Sequence, residues 1–302
     1  LKLIAPEIKK IFGKCIVMPN LVPPVVNSQK AKRYKKEIID CIGDNLKIYL
    51  TLYLTENLTK SELLEAFFNN DIFAVKLYPL GATTNSNFGI KNIKKIMPIL
   101  ELMSLNKIPL LIHGEDVDPD IDIFDREKSF IDKYLTKIVK DFPELKITLE
   151  HITTQDAVDF VLSSNNNIVA SITPHHLASD RNSMLVGGIK PHLYCLPILK
   201  RRKHRDALVK IATSGNKKFF LGTDSAPHLK HDKESECGCA GVFNTKYCMQ
   251  TLTQLFDDKS CLNNLESFTS LNGTKHYQLP VNKKKIKLIK SDKPIKFNKF
   301  LK

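Results

Sequence analysis

The sequence predicts an α/β fold with a parallel sheet, and a (β/α)8 barrel is the architecture that fits it best. Short apolar runs that end in a polar or turn residue alternate with segments of helical spacing over about 220 residues. Strands that alternate with helices require crossover connections, which produce parallel pairing. A doubly wound open sheet is the second possibility, but no glycine-rich phosphate fingerprint follows any of the runs.

Seven strands and the helices between them can be located from the pattern alone. The predicted strands are 14–18, 46–54, 72–78, 108–113, 145–151, 167–173 and 218–224. The predicted intervening helices are 28–42, 61–68, 93–105, 126–140, 155–162 and 204–213. Because the opening residues LKLIAPEIKKIF already have helical spacing, the eighth strand of a barrel is expected upstream of Leu1.

The part of the chain beyond the last strand is expected to complete a single domain over 1–302. It contains a cysteine-bearing loop, predicted helices near 246–256 and 265–271, and a basic tail at 283–302. Apolar residues alternate with lysines in the tail, at Ile286, Leu288, Ile295 and Phe297. This alternation predicts a peripheral edge strand whose lysines block further pairing.

Composition and charge restrict the class of protein. The formal net charge is +14, but nine lysines and one aspartate in 283–302 supply 9 − 1 = +8 of it. The chain has no tryptophan and no aromatic platform for stacking bases, so we expect no nucleic-acid partner. We also expect a cytoplasmic protein outside the membrane, because there is no long apolar run, no secretory signal, and an odd, scattered set of seven cysteines.

Four polar residues lie at or near the C-terminal ends of predicted strands. They are Lys76, His113, His151 and Asp224. In a barrel these ends meet at one mouth, where catalytic groups gather. A single histidine at such a position is more often a hydrogen-bonded core residue, and Asp224 could instead cap the turn after its strand. Two histidines on consecutive strands reverse that preference, and two imidazoles with a carboxylate are suitable zinc ligands.

Lys76 allows three interpretations, because an ammonium on an apolar strand is costly to bury. It could form a structural salt bridge, form a Schiff base, or react with carbon dioxide to give a carbamate that bridges two metals. The salt bridge is the first choice for a lone strand lysine, whereas nearby His113 and His151 favour the carbamate. His175, His176 and His192 are weaker ligand candidates.

Several strings of the sequence resemble the dihydroorotase family, in its bacterial-type stand-alone short-chain class. They are MPNLVPP, KLYPLGATTNS, LLIHGE, DIDIFDRE, EHITT, MLVGG, KPHLYCLPILKR, FFLGTDSAPH and KESECGCAG. The resemblance runs from Pro6 to about Val281. It implies a barrel of the amidohydrolase superfamily and the reversible, zinc-dependent interconversion of N-carbamoyl-L-aspartate and L-dihydroorotate in pyrimidine biosynthesis.

The resemblance also implies roles for the four residues at the strand ends. Lys76 matches the carboxylated lysine that bridges both zinc ions, and His113 and His151 match ligands of the second zinc. Asp224 matches the residue that binds the first zinc and acts as general base and acid, taking the proton from the bridging hydroxide and passing it to the ring nitrogen.

Substrate contacts are implied at further positions. Asn20 and His228 match residues that hold the substrate carboxylate, and Leu196, Ala240 and Gly241 match backbone contacts to the ring amides.

Thr83 and Thr84, within ATTNS, match a mobile loop that closes over the substrate. The His-x-His pair and the arginine that the family carries on its first strand are expected upstream of Leu1. The same resemblance implies a homodimer.

Two alternatives for the function stay open. One is a hydantoinase-like or allantoinase-like cyclic amide hydrolase, and the other is an inactive scaffold if the His-x-His pair is truly absent.

Overall fold

One parallel sheet of seven strands forms the centre of the molecule. The computed structural model describes residues 1–2, 4–43 and 46–293, and in those residues the strands pair in simple chain order. They are β1 (Lys14–Val17), β2 (Lys47–Tyr53), β3 (Ala74–Leu77), β4 (Leu110–His113), β5 (Ile147–Glu150), β6 (Ile168–Ile172) and β7 (Phe219–Leu221). All seven predicted strands are confirmed, each somewhat shorter than predicted.

Helices connect and follow the strands, and the long ones cover the outer face of the sheet. They are α1 (Ala5–Ile11), α2 (Ser28–Ile42), α3 (Lys60–Phe68), α4 (Ile93–Leu105), α5 (Arg126–Phe130), α6 (Thr136–Asp141), α7 (Gln155–Ser163), α8 (Pro174–Ala178), α9 (Arg181–Leu185), α10 (Arg202–Thr213), α11 (Lys230–Lys233), α12 (Cys248–Asp258) and α13 (Asn272–His276). The predictions for 28–42 and 93–105 match α2 and α4 from end to end. The predicted helix 126–140 is α5 and α6 joined by a π-helical turn, Ile131–Leu135.

Local sequence explains how the helices pack on the sheet, as α2 illustrates. The Asn27 side chain accepts a hydrogen bond from the Lys30 N–H and so caps the first turn of this helix. The buried residues of α2 are Ala31, Tyr34, Ile38 and Ile42. Their spacing of three and four positions puts them on one face of the helix, which packs into the main hydrophobic core.

The pleat of the strands decides which side chains enter the interior of the curled sheet. On β3, Val75 and Leu77 belong to the core beneath the helices, whereas Ala74 belongs to a second cluster on the other face. Because side chains alternate along a strand, Lys76 shares the inner face with Ala74. The same alternation on β4 puts Leu111 and His113 on the inner face.

The second cluster, on the inner face of the sheet, fills the end of the interior that lies away from the C-terminal ends of the strands. Tyr277, at the end of α13, packs with Ala74, Leu111 and other inner-face side chains, and its hydroxyl lies 2.7 Å from Thr148 Oγ1. Ala74 and Thr148 stand two residues before Lys76 and Glu150 on their strands. The C-terminal helix therefore fills the layer beneath the polar groups and leaves the opposite end open.

The sheet is a partial (β/α)8 barrel. In the described part of the chain, β1 and β7 lie at its two ends, and each pairs with a single strand. The strand expected upstream of Leu1 stays a prediction. None of the helices described is both long and apolar enough to cross a bilayer.

The tail differs from its prediction. Residues 279–293 form neither helix nor strand, so the predicted edge strand is wrong for this part, and Ile295 and Phe297 lie outside the described residues. Lys285 forms an ion pair with Glu266, and Lys290 lies 2.8 Å from Asp257 on α12. Lys285 and Lys290 thus contact acidic side chains of the C-terminal helical region, and this part of the tail does not border a sheet.

Candidate active site

The four predicted strand-end residues come together at the open mouth of the sheet. In the register of the strands, Lys76 on β3 is paired with Leu111 on β4, and His113 is paired with Glu150 on β5. The rings of His113 and His151 have centroids 4.7 Å apart. Parallel strands in register carry these side chains to the same edge, as the sequence indicated.

Lys76 is buried, with 1% of its surface exposed, and its ammonium forms an ion pair with Glu150. Its Nζ also lies 5.0 Å from the centre of the Tyr78 ring. Of the three interpretations of Lys76, the salt bridge is the one present in this structure. Sequence reasoning did not single out Glu150, although its position immediately before His151 in KITLEHIT was a usable signal.

A buried carboxylate fixes the orientation of His113. Nε2 of His113 lies 2.7 Å from Oε2 of Glu115, and both side chains are buried. The hydrogen bond requires Nε2 to carry the proton, which leaves the Nδ1 lone pair of His113 available to a metal. Glu115 was also missed in the sequence, although the adjacent letters HGE contain it.

His151 has a strained backbone and a neutral imidazole. Its φ is 43°, in the left-handed region, and its N–H donates to Ser171 Oγ at 2.9 Å. Burial lowers the pKa of His151 well below its usual value, and the positive charge of Lys76 lowers it further. In the described residues, Nδ1 of His151 is buried and has no hydrogen-bond partner.

Glu127 anchors the turn that follows His151. This carboxylate is 2% exposed and accepts hydrogen bonds from the backbone N–H groups of Thr153 and Thr154 at 2.8–3.1 Å, and from both of their hydroxyls. Burial raises the pKa of Glu127, whereas Lys200 and the threonine hydrogen bonds oppose that rise. Glu127 therefore holds the backbone next to a candidate metal ligand.

We expect Glu127→Gln to destabilise the fold. The Gln amide group would direct N–H donors at the N–H and O–H groups that now donate to Glu127, and so leave buried donors unsatisfied. The free energy of unfolding, measured by urea denaturation, should fall by about 2–4 kcal/mol. The control Glu65→Gln, on the exposed face of α3, should change it by less than about 0.5 kcal/mol. A loss at Glu127 as small as that of the control would contradict the anchoring role.

Asp224 follows β7 at the mouth and has a φ of 41°. The residue is exposed to solvent, but the walls of the mouth displace much of the surrounding water. Desolvation therefore raises the pKa of Asp224, the Lys76 ammonium opposes that rise, and repulsion from Glu150 adds to it. Because the carboxylate keeps access to water, we attribute only a modest rise to these effects. The loop is tied down by Asn244, whose side chain donates to the Thr223 carbonyl at 2.6 Å.

The predicted closing loop lies across the mouth in this structure. Asn20 Nδ2 donates to the Thr84 carbonyl at 3.0 Å, and Asn20 Oδ1 accepts from the Tyr78 hydroxyl at 3.0 Å. On the other side, Thr84 Oγ1 donates to the Ala240 carbonyl at 3.3 Å. Thr83 contributes to the turn of the loop through its N–H, which donates to a serine hydroxyl. The loop thus connects two of the predicted substrate-binding segments.

The remaining predicted substrate-binding residues form the rim opposite Asn20. His228 Nε2 lies 3.0 Å from the Ala240 carbonyl. Gly241 has a φ of 152°, and a Cβ at this position would lie 2.6 Å from the Ala226 carbonyl oxygen, so only glycine fits. Leu196 is half-buried in the segment that carries His192 and Tyr194. The structure brings these residues to one side of the mouth.

A second cluster of potential metal ligands lies beside the Asp224 loop. It consists of His175, His176 and Cys195, which are all buried. His176 already uses both nitrogens, with Nδ1 2.7 Å from Thr173 Oγ1 and Nε2 2.9 Å from the Pro197 carbonyl. His175 accepts a hydrogen bond at Nδ1 from Asn244, so its Nε2 carries the proton. Hydrogen bonds therefore account for both nitrogens of His176, and Cys195 Sγ donates to the Pro197 carbonyl at 3.3 Å. Nε2 of His175 is buried and has no hydrogen-bond partner in the described part of the chain.

The donor set at the mouth fits a metal such as zinc. His113 retains a free Nδ1, and His151 is neutral and has an unpartnered buried Nδ1. A buried polar atom without a hydrogen-bond partner destabilises the folded state. The unpartnered Nδ1 of His151 is therefore explained if this atom binds a metal ion. The Asp224 carboxylate supplies an oxygen donor on the same side of the sheet, and nitrogen and oxygen donors are typical of catalytic zinc.

Comparisons with known proteins agree with this geometry. No model of a known protein family matches the chain. The dihydroorotase of Nitrosococcus oceani is 49% identical over 290 residues, which cover 95% of this chain and 84% of that protein. The dihydroorotase of Aliivibrio fischeri (strain MJ11) is 53% identical over 279 residues, which cover 92% of this chain and 82% of that protein.

Solved structures give the same result. Dihydroorotase from Campylobacter jejuni matches with a TM-score of 0.85 and 40% identity, covering 94% of this chain and 80% of that one. Dihydroorotase from Saccharomyces cerevisiae, in complex with 5-fluoroorotic acid, matches with a TM-score of 0.85 and 31% identity, covering 92% and 80%. L-Hydantoinase from Arthrobacter aurescens has a TM-score of 0.76 at 15% identity, covering 90% of this chain and 65% of that one, which shows a shared fold.

Proposed function

Because the chain belongs to the dihydroorotase family, we propose that it interconverts N-carbamoyl-L-aspartate and L-dihydroorotate reversibly in pyrimidine biosynthesis. Membership in this family makes the chain a hydrolase that acts on a cyclic amide. The observation that carries the proposal is the convergence of Lys76, His113, His151 and Asp224 at one open end of a partial barrel. A proton carrier and several metal ligands at one mouth suit the opening and closing of an amide ring.

Two zinc ions are the proposed cofactors. From this chain, His113, His151, Asp224 and a carboxylated Lys76 would hold them. When bound, zinc supplies Lewis-acid polarisation of a carbonyl and lowers the pKa of a nearby water. Carboxylation requires the neutral amine, so the Lys76 ammonium must first lose one proton and with it the ion pair with Glu150. The Lys76 Nζ would then bond to the carbon of carbon dioxide with release of a second proton.

Asp224 is the proposed proton carrier. It would accept a proton from the attacking water and transfer it to the ring nitrogen that leaves as the ring opens, and the reverse transfer would accompany cyclisation. Its position supports this role, since the residue is accessible to substrate and its pKa is raised toward that of an effective acid. Glu115 and Glu127 support the neighbouring histidines by fixing the His113 ring and the backbone after His151.

Substrate binding is proposed at the rim of the mouth. Asn20 and His228 would hold the substrate carboxylate, and backbone groups of Leu196, Ala240 and Gly241 would bind the ring amides. The loop with Thr83 and Thr84 would have to release its hydrogen bonds to Asn20 and Ala240 when substrate enters, and would exclude water when it closes again.

The role of His228 separates this proposal from a hydantoinase-like activity, because hydantoin has the cyclic amide but lacks the carboxylate. We expect His228→Ala to raise KM for dihydroorotate about ten-fold or more, since a hydrogen bond to a charged group is lost. The measurement is kcat and KM for dihydroorotate and for hydantoin, in the wild type and in the variant. The matched control is His231→Ala, an exposed histidine of the same region, which should keep the wild-type KM.

Either of two results would contradict the proposal. An unchanged KM for dihydroorotate in His228→Ala would remove this residue from the carboxylate site. A wild-type protein that turns over hydantoin faster than dihydroorotate would replace the proposed substrate.

The cellular location and the oligomeric state of the protein are proposed from fewer observations. The substrates are small molecules, and the seven cysteines are unpaired thiols, which supports a cytoplasmic location. A homodimer is proposed from the family resemblance alone, and light scattering of the purified protein would test it.

A further inference from the structure

Lys233 is a buried lysine for which the proposed chemistry has no use. It is the last residue of α11, and 3% of its surface is exposed. Its ammonium donates hydrogen bonds to three backbone carbonyls, those of Tyr194 at 2.9 Å, Cys239 at 2.6 Å and Gly241 at 2.8 Å. An ammonium has three N–H donors, so main-chain oxygens account for all of them.

These contacts tie together two loops that are distant in sequence. One loop carries Tyr194 and Leu196, and the other carries Cys239, Ala240 and Gly241. The Gly241 N–H donates to the Tyr194 carbonyl at 2.9 Å, so this oxygen accepts one hydrogen bond from the second loop and another from the lysine. The two loops therefore form one edge of the mouth, with the ammonium at their junction.

Burying a lysine ammonium costs more free energy than burying an apolar side chain, so packing alone does not explain a lysine at this position. Its partners are neutral carbonyls rather than a carboxylate, and burial lowers its pKa because desolvation penalises the charged form. An apolar side chain of similar length would occupy the same volume without that penalty. The three convergent carbonyls explain why a cation is present here.

We infer that Lys233 is a positioning residue that holds the backbone groups of Leu196, Ala240 and Gly241 against the substrate ring. This inference rests on the proposed function, because it takes those backbone groups as the ring contacts. The Cys239 carbonyl and the Ala240 N–H belong to one peptide unit. A cation at the carbonyl polarises that unit, and the hydrogen bond that the Ala240 N–H gives to a substrate oxygen becomes stronger.

The test compares Lys233→Met with Lys230→Met, an exposed lysine at the other end of the same helix. Methionine keeps most of the stem volume and removes all three donors. We expect KM for dihydroorotate to rise about ten-fold or more in Lys233→Met, with a smaller change in kcat, because ring binding is lost while the proton carrier is untouched. Lys230→Met should keep the wild-type KM. Tm is recorded for each variant.

The outcomes separate this inference from the proposed function. If the wild type turns over dihydroorotate and Lys233→Met lowers Tm but keeps the wild-type KM, the lysine is only structural and the inference is wrong. If the wild type does not turn over dihydroorotate, the proposed function fails and the inference fails with it. Should Lys233→Met not fold, Lys233→Gln retains two donors but removes the charge that polarises the peptide unit between Cys239 and Ala240. A wild-type KM in that variant would overturn the inference.

Discussion

Replacing Asp224 with asparagine should lower kcat for dihydroorotate by about 10³-fold or more, while the protein stays folded. Asparagine has nearly the shape of aspartate, but its amide cannot take up and release a proton at neutral pH. The residue is exposed at the mouth, so the exchange leaves no buried group without a partner. Steady-state kinetics in both directions, with circular dichroism and Tm, measure the two parts of this expectation.

Asp159→Asn is the matched control for Asp224. Asp159 lies on the exposed face of α7, so this exchange makes the same change of charge outside the mouth. It should retain wild-type kcat and KM. If Asp224→Asn kept more than about a tenth of wild-type turnover, another group would have to carry the proton, because loss of a general acid–base is expected to cost 10²-fold or more.

Lys76→Ala should lose activity to a similar extent and should also reduce stability. The exchange removes a buried ammonium and leaves Glu150 without its ion-pair partner, next to the Asp224 carboxylate. Breaking a buried pair by removing one partner costs about 3–5 kcal/mol. Because Glu150 keeps partial solvent access, we expect the lower end of that range. Urea denaturation measures the stability, and Lys95→Ala, at an exposed ion pair, serves as the control.

Chemical rescue of Lys76→Ala distinguishes the three interpretations of this lysine. If a carboxylated lysine bridges two metals, a short carboxylic acid such as acetate or propionate should restore part of the activity by supplying the missing carboxylate. Rescue by an alkylamine instead would show that the amine itself is needed. In that case, the salt bridge or a Schiff base would replace the carbamate in the proposed mechanism.

The sequence predicted the framework of the site because that framework depends on local patterns. Alternation of apolar runs and amphipathic segments located all seven strands. A polar residue at or just after the end of a strand can also be recognised in the sequence. Lys76, His113 and Asp224 could therefore be placed at one mouth before any contact was known. Their roles as ligands and proton carrier stay predictions, drawn from a resemblance to a family.

The charged residues that support the site from other segments of the chain could not be predicted in the same way. Glu127 lies on α5 and reaches the turn after β5, and Lys233 on α11 reaches carbonyls of two loops. Nothing local distinguishes such charged residues from surface ones, since their burial depends on where distant segments pack. In the tail, by contrast, the sequence pattern predicted a strand that the structure does not contain in the described residues. Its alternating pattern suits a strand, but residues 279–293 form neither helix nor strand, and Lys285 and Lys290 contact acidic residues near the C-terminal helices.

The sequence by itself therefore determined the order of the strands and helices, the inward direction of Lys76 and His113, and the collection of polar groups at one end of the sheet. The tertiary structure alone decided which carboxylates fix those groups, that Lys76 pairs with Glu150, and that Lys233 joins the two rim loops. The physical reason is that periodicity follows from the geometry of a single strand or helix. Hydrogen bonds and burial of charge depend on distances between segments far apart in the chain, and packing alone sets those distances.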